Sequence, residues 1–275
     1  MDADPDLRAL HDLALDIARE AGRLQMDALH GVRTVEAKSS PTDAVTEVDR
    51  ACEALIVRRI LEARPDDSIL GEEGADHTGA SGVRWVIDPL DGTVNYLYRR
   101  GAFAVSLGIE VDGQPAAGAV FDPSRDEMFS AVRGAGAWLN GAPIRASDAS
   151  VLGWSLIGTG FGYEEHIRRA QGATLAEVIP QVRDIRRAGS AALDVCAVAC
   201  GRLDGYYERG VQAWDIAAAA VIVQEAGGLA ERLGTPEVPA GTWVAGAPGV
   251  FAQLRAAVVA ASQAPGTEGA PEAEG

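Results

Sequence analysis

Apolar positions recur at helical spacing near the start of the chain. Leu7, Leu10, Ala14, Ile17, Ala21, Leu24 and Ala28 fall three or four residues apart and mark one face of an amphipathic helix that Gly31 ends. A polar loop follows at Lys38-Ser39-Ser40-Pro41-Thr42-Asp43, and a second helix is predicted from about Val45 to Ala63, broken ahead of Pro65. Ser68-Ile69-Leu70 reads as a short strand, from which Gly71-Glu72-Glu73-Gly74 turns away. Val83 to Ile87 is an apolar strand that delivers Asp88 at its end. Ala102 to Glu110, Gln114 to Phe121 and Asp126 to Val132 read as antiparallel strands, with Asp112-Gly113 and Asn140-Gly141 as tight-turn dipeptides.

Beyond about Ala149 the pattern alternates between helix and strand. Helices are predicted at Ala170 to Val182, Ser190 to Cys200, Trp214 to Glu225 and Gly249 to Ala261, and strands at Asp184 to Arg187, Gly205 to Glu208 and Trp243 to Ala245. The expected architecture is α+β: an antiparallel-sheet half with paired helices over residues 1–148, then a mixed α/β half over 149–262. Residues 263–275 are mostly Ala, Pro, Gly and Glu with little means of burying a core, and a disordered tail is expected there.

Composition narrows the function classes. The chain has 275 residues, 47% hydrophobic, enough to bury a substantial core. Apolar runs such as Ile216 to Val223 fall far short of the roughly 20 residues a bilayer requires. The start, Met1-Asp2-Ala3-Asp4, is acidic where a secretory signal is basic, so a cytoplasmic protein is expected. A net charge of −16 argues against direct nucleic-acid binding. It also means that any site for anionic phosphates would need cations to reverse the local field. Three cysteines give no disulfide framework, and Cys196 and Cys200 read as helix core. His11, His30, His77 and His166 read as surface residues.

The segment with most chemistry is Trp85-Val86-Ile87-Asp88-Pro89-Leu90-Asp91-Gly92-Thr93-Val94-Asn95. A buried strand runs into two acids three residues apart. Pro89 keeps the chain extended at Asp88, and Gly92 permits close backbone approach before a helix that can begin at Thr93. Such a geometry can gather carboxylates for a hard cation and N–H groups for a phosphate. An ordinary strand-to-helix connection, with Asp88 capping the backbone, fits this segment equally well. Glu72 after a short strand and Asp215 at a helix start add two more acids at element ends, although Asp215 alone also reads as a helix N-terminal acid.

The run Asp88-Pro-Leu-Asp-Gly-Thr-Val-Asn95 resembles the first signature of the inositol monophosphatase family. Trp214-Asp215-Ile216-Ala217-Ala218, with Glu225-Ala226-Gly227-Gly228, is similar to its second. Gly71-Glu72-Glu73 resembles the family's glutamate motif, and Val45-Thr46-Glu47-Val48-Asp49 the element that places an aspartate near the nucleophilic water. The likeness runs in order from about Asp6 to Ala261. The chain departs from the family's usual Gly at Ala219, and from a frequent His and Pro at Tyr98 and Gly101.

The resemblance implies an αβαβα layered sandwich and Mg²⁺-dependent hydrolysis of a small phosphate monoester, sensitive to Li⁺, in a homodimer. It implies two to three ions: one on Glu72, Asp88 and the Leu90 carbonyl, a second on Asp88, Asp91 and Asp215, and a weaker third on Glu72. It gives Thr93, Asp49 and Glu72 the task of orienting and deprotonating water, and the Gly92 and Thr93 N–H groups that of holding phosphate. For the substrate alcohol it points to Asp91, Ala191 and Glu208; a surface strand acid is the plain alternative for Glu208. Lys38 is a possible accessory cation, or simply a surface lysine. Gly158-Thr-Gly-Phe-Gly-Tyr163 resembles the bacterial inositol-1-phosphate branch, while histidinol phosphate, fructose 1,6-bisphosphate and 3′-phosphoadenosine 5′-phosphate are rival substrates. A different class of reading is a non-catalytic acidic protein that docks a basic partner.

Overall fold

The computed structural model describes residues 6–31, 35–37, 44–235 and 238–263. Lys38 and residues 264–275 of the expected tail lie outside the described residues. The first helix, α1 (Leu7–Ala28), starts where the Asp6 carboxylate accepts the Arg8 N–H at 2.9 Å, and buries Leu10, Ala14, Ile17 and Ala21 as the spacing predicts. A short hairpin of β1 (Val35–Ala37) and β2 (Ala44–Thr46) leads into α2 (Glu47–Ala63). Then come β3 (Ser68–Gly71), β4 (Asp76–His77), β5 (Val83–Asp91), the short helix α3 (Thr93–Leu97), β6 (Ala104–Val111), β7 (Gln114–Asp122), β8 (Glu127–Val132), β9 (Gly136–Leu139) and β10 (Ala142–Pro143). These strands form one sheet in the order β10-β9-β8-β7-β6-β5-β3-β4, antiparallel throughout except where β3 runs parallel to β5.

The second half contributes β11 (Leu156–Thr159), α4 (Glu165–Val178), β12 (Asp184–Arg186), α5 (Ala191–Ala199), β13 (Gly205–Arg209), α6 (Ala213–Glu225), β14 (Leu229–Thr235), β15 (Val238–Gly246) and α7 (Pro248–Ser262). Its five-stranded sheet, β12-β11-β13-β15-β14, is mixed: β11 is parallel to both neighbours and the other pairs are antiparallel. Several expected boundaries move, among them that of the strand expected at 243–245, which runs from Val238 to Gly246. The helix expected at 170–182 begins at Glu165 and ends at Val178, because Pro180 permits only a 3₁₀ turn beyond it. The strand expected to stop at Ile87 runs to Asp91.

The layers follow from which helix faces are apolar. α1 and α2 pack together on one face of the large sheet, α5 and α6 lie between the two sheets, and α4 and α7 cover the outer face of the small one. This is the αβαβα sandwich that the resemblance implies. α6 is apolar all round, as a helix between two sheets must be, with Ile216 and Ala218 to Val223 all buried. Ala219 is among them, fully buried in the central core. Two glycines let α6 come down onto the sheet. A Cβ on Gly118 of β7 would lie 2.5 Å from the Ala218 carbonyl oxygen, and one on Gly108 of β6 would lie 2.6 Å from the Ala217 Cβ.

Gly118→Val therefore forces backbone apart and is expected to cost about 3 kcal/mol, a fall in Tm of about 6–12 °C for a chain of this size. Thermal unfolding followed by circular dichroism measures it, and an unchanged Tm would show that α6 is not seated through this contact.

Candidate active site

β5 reaches the site through a bulge. Asp88 pairs with Ser106 and Asp91 with Ala104, so β5 spends one residue more than β6 over the same stretch. Pro89 causes it: the residue has no N–H for the ladder, and its carbonyl instead accepts the Gln25 side-chain amide at 2.7 Å. In a regular strand, acids three apart point to opposite faces. The extra residue turns Asp88 and Asp91 toward the same side. The Asp88 carboxylate accepts the Leu90 N–H at 2.9 Å. Asp91 accepts the Ser190 hydroxyl at 2.5 Å and the N–H groups of Ala192 and Ala191 at 2.8 and 3.3 Å, at the start of α5.

Asp215 arrives from the other half of the chain. It is the third residue of α6 and accepts the Gln212 N–H at 2.6 Å in a capping box, which fixes its carboxylate at the helix start. One carboxylate oxygen each from Asp88, Asp91 and Asp215 lie within 4.8 Å of one another. Glu72 comes from the end of β3, lines the same cavity and shares a hydrogen bond with Asp88. Full charges on the three aspartates would repel by about 3.5 kcal/mol per pair at an effective dielectric of about 20. Together that is on the order of 10 kcal/mol, comparable with the whole stability of a typical domain. Without a cation, burial and then the mutual repulsion of Asp88 with Glu72, Asp91 and Asp215 hold the Asp88 carboxyl well above the usual range. Asp215 is raised likewise, by burial and then by Asp91, and burial lifts Asp91 to about 6 against its three donors. Among the described residues lining the cavity there is no His or Cys. Oxygen donors with a surplus of negative charge fit a hard divalent cation such as Mg²⁺.

Thr93 and Asp49 sit beside this cluster. Gly92 takes a positive φ of 93°, in a space where a Cβ would lie 3.0 Å from the Ala102 carbonyl oxygen, so the chain turns sharply into α3. The Thr93 hydroxyl has an Asp49 oxygen at 2.9 Å and the Leu90 carbonyl at 3.1 Å as acceptors. Asp49 is fully buried in the first turn of α2, where it forms a capping box with Thr46: it accepts the Thr46 N–H at 2.9 Å and also the Thr46 hydroxyl. Burial raises the Asp49 carboxyl, while the hydrogen bonds from Thr46 and Thr93 act against the rise.

The acids form the floor of a cavity of about 340 Å³ that also takes in Gly160 to Tyr163, Arg187, Ala191, Asp194 and Glu208. Glu208 is half-buried and accepts the Tyr206 hydroxyl at 2.7 Å; burial lifts it to about 7 while Tyr206 and Arg187 act against the rise. Gly160 leaves it room, since a Cβ there would collide with the Glu208 carboxylate. Among the lining residues that the sequence reading did not single out are Asp194 and Arg187. Asp194 is buried on α5 and raised to about 8 by burial, then by Glu208 and Asp91. Its signal was there: an acid inside the apolar run Ala191-Ala-Leu-Asp-Val-Cys196. Arg187, one of several arginines in a polar stretch, gave none. His11, expected at the surface, is instead tucked against Trp138, outside the cavity.

Comparison with known proteins agrees with this geometry. A model of the inositol monophosphatase family matches residues 6–264. The inositol-1-monophosphatase SuhB of Mycobacterium tuberculosis is 48% identical over 239 residues, which cover 83% of this chain and 82% of that protein. The Nus factor SuhB of Salmonella typhimurium is 39% identical over 253 residues, covering 89% and 93%. The solved structure of the inositol monophosphatase from Anabaena superposes with a TM-score of 0.82 at 34% identity, covering 95% of this chain and 98% of that one. A five-layered sandwich with an acid cluster at the centre of its strand and helix ends defines a metal-dependent phosphatase fold. The chain belongs to the inositol monophosphatase family.

The buried acids set a pH dependence for the metal-free protein. Asp91, Glu208 and Asp194 titrate near 6, 7 and 8 when folded, against about 4 when unfolded. Between these limits the native state binds more protons than the unfolded chain, so stability falls as pH rises from about 4 to 8. In EDTA, Tm is expected to drop by several degrees from pH 5 to pH 8. A flat or rising Tm across that window contradicts the shifts.

Proposed function

We propose that the protein is a Mg²⁺-dependent phosphatase that converts inositol 1-phosphate, or a polyol phosphate of the same size, to the alcohol and inorganic phosphate. The observation that carries this reading is the convergence of Asp88, Asp91 and Asp215 beside the Thr93–Asp49 pair. Glu72, Asp88 and the Leu90 carbonyl would hold one ion, and Asp88, Asp91 and Asp215 a second, with Asp88 shared and a weaker third on Glu72. When bound, such ions lower the pKa of water and neutralise charge on the phosphate and leaving oxygen.

The chain's own residues do the rest. Thr93 donates to Asp49, which leaves its oxygen able to accept from a water in the cavity. A proton taken from that water passes through the Thr93 hydroxyl to Asp49, whose burial favours the protonated form. Glu72 faces the same space and orients the water from the other side. The Gly92 and Thr93 N–H groups hold phosphate oxygens. At the far end of the cavity, Glu208, fixed by Tyr206, accepts hydroxyls of the alcohol with Asp91 and the Ala191 backbone. The relative named inositol-1-monophosphatase supports this choice of substrate. The relative named a Nus factor favours a second role, in which the same fold docks a protein partner. We also propose a homodimer in the cytoplasm.

A phosphate-release screen with Mg²⁺ should show inositol 1-phosphate turned over with the highest kcat/KM among itself, histidinol phosphate, fructose 1,6-bisphosphate and 3′-phosphoadenosine 5′-phosphate. EDTA should silence it, Mg²⁺ restore it, and Li⁺ inhibit it. No release from any of the four would leave the partner-docking role as the better account. Asp91→Asn should lower kcat/KM by more than about 100-fold, beyond what loss of an outer partner of a metal ligand costs, with the fold intact by circular dichroism. Near-normal turnover would remove Asp91 from the site.

A further inference from the structure

The helix that carries Asp49 in its first turn carries Glu53 one turn later. Glu53 is 7% exposed, and both of its carboxylate oxygens reach one segment. Oε2 accepts the Glu73 N–H at 2.8 Å, and Oε1 accepts the Ala75 N–H at 3.0 Å. Those two N–H groups belong to the turn that leaves β3 at Gly71, and Glu72 opens that turn. It is tied at two further points: the Gly71 N–H donates to the Ala75 carbonyl at 2.7 Å, and the Glu72 N–H to the Ile87 carbonyl of β5 at 3.2 Å. Gly71 makes the grip possible. A Cβ there would lie 2.4 Å from Glu53 Oε2 and 2.9 Å from the Ala75 Cβ. Glu53 does not line the cavity, so it does not touch substrate.

We propose that Glu53 is a positioning residue for Glu72, locking the turn that carries this metal ligand to the helix that carries Asp49. The inference rests on the metal-site reading above and adds the part that sets its geometry. A buried carboxylate is tolerated where it gains strong donors, and two N–H groups on one tight turn hold that turn with little freedom. Glu72 must meet Asp88 across the β3–β5 pair: its own N–H is tied to Ile87 of β5, and the grip from α2 holds the rest of the turn that follows it. One helix thus spaces the water-orienting acid from the metal-binding one. Loosening the grip lets Glu72 swing away when no cation is present, and cation binding must then reorder it.

The molecule contains its own control. Glu225 grips another turn in the same way, accepting the Gly134 and Gly136 N–H groups at 2.9 and 3.0 Å, and that turn contributes nothing to the cavity. Mn²⁺ binding to the full chain, read from the electron paramagnetic resonance signal of the free ion, separates the two. Glu53→Gln should weaken Mn²⁺ binding by about 10- to 100-fold, as loss of an outer partner does. In Mg²⁺ assays its activation constant should rise by a similar factor, while kcat at saturating Mg²⁺ and KM stay within about threefold of wild type. Glu225→Gln should lower Tm and leave Mn²⁺ binding unchanged. Glu53→Asp keeps the charge and shortens the reach, and it carries the same expectation if Glu53→Gln does not fold. Wild-type Mn²⁺ affinity in folded Glu53 variants overturns the inference, as does equal weakening in Glu225→Gln. A wild-type chain that binds no Mn²⁺ at all overturns the metal-site reading itself, and the inference with it.

Discussion

The repulsion among Asp88, Asp91 and Asp215 is the constraint on which the rest of the arrangement turns. Like charges this close and this poorly hydrated do not gather unless the surrounding structure forces them together. Here the force comes from three places. The bulge at Pro89 turns two acids of one strand to one side. The bare glycines of β6 and β7 bring α6 down until Asp215 meets them. The start of α5 receives Asp91 through Ser190, Ala191 and Ala192. All of this packing is work done against electrostatics, and on the proposed reading a bound divalent cation would turn that cost into binding energy.

The helix starts show how the fold holds acids in place without neutralising them. Asp49 and Asp215 are both the third residue of a helix, and both reach back to the residue that caps it. The positive end of a helix favours a carboxylate by about 0.3–1 kcal/mol. That is enough to choose a rotamer and far too little to cancel three neighbouring charges. Capping therefore supplies direction while protons or cations supply neutrality. The same economy of parts recurs at α2, where one helix carries the Asp49 cap and, a turn later, the grip of Glu53 on the Glu72 turn.

Much of this was legible in the residues themselves. Helical spacing located α1, and the run Asp88-Pro-Leu-Asp91 marked a strand ending in paired acids, which an ordinary strand-to-helix connection explained equally well. The order of four motifs then identified the family and with it the sandwich. What spacing could not reveal was convergence. Asp215 lies 124 positions beyond Asp91, and only the seating of α6 on Gly108 and Gly118 brings them together. The strands β11 and β14 owe their conformation to β13 and β15 beside them. Glu53 gave no signal in the sequence, since its partners are backbone groups, which leave no mark there. Asp194 was marked by its apolar neighbours and missed all the same.

If the acid cluster is held together against its own repulsion for a cation, removing one charge must help the empty protein and harm the loaded one. Thermal unfolding of wild type and Asp215→Asn, each with EDTA and with Mg²⁺, measures both. An asparagine can still accept the Gln212 N–H, so the cap survives the change. The account predicts a higher Tm than wild type in EDTA, and a much smaller rise on adding Mg²⁺. A lower Tm in EDTA, with an unchanged gain from Mg²⁺, would contradict it.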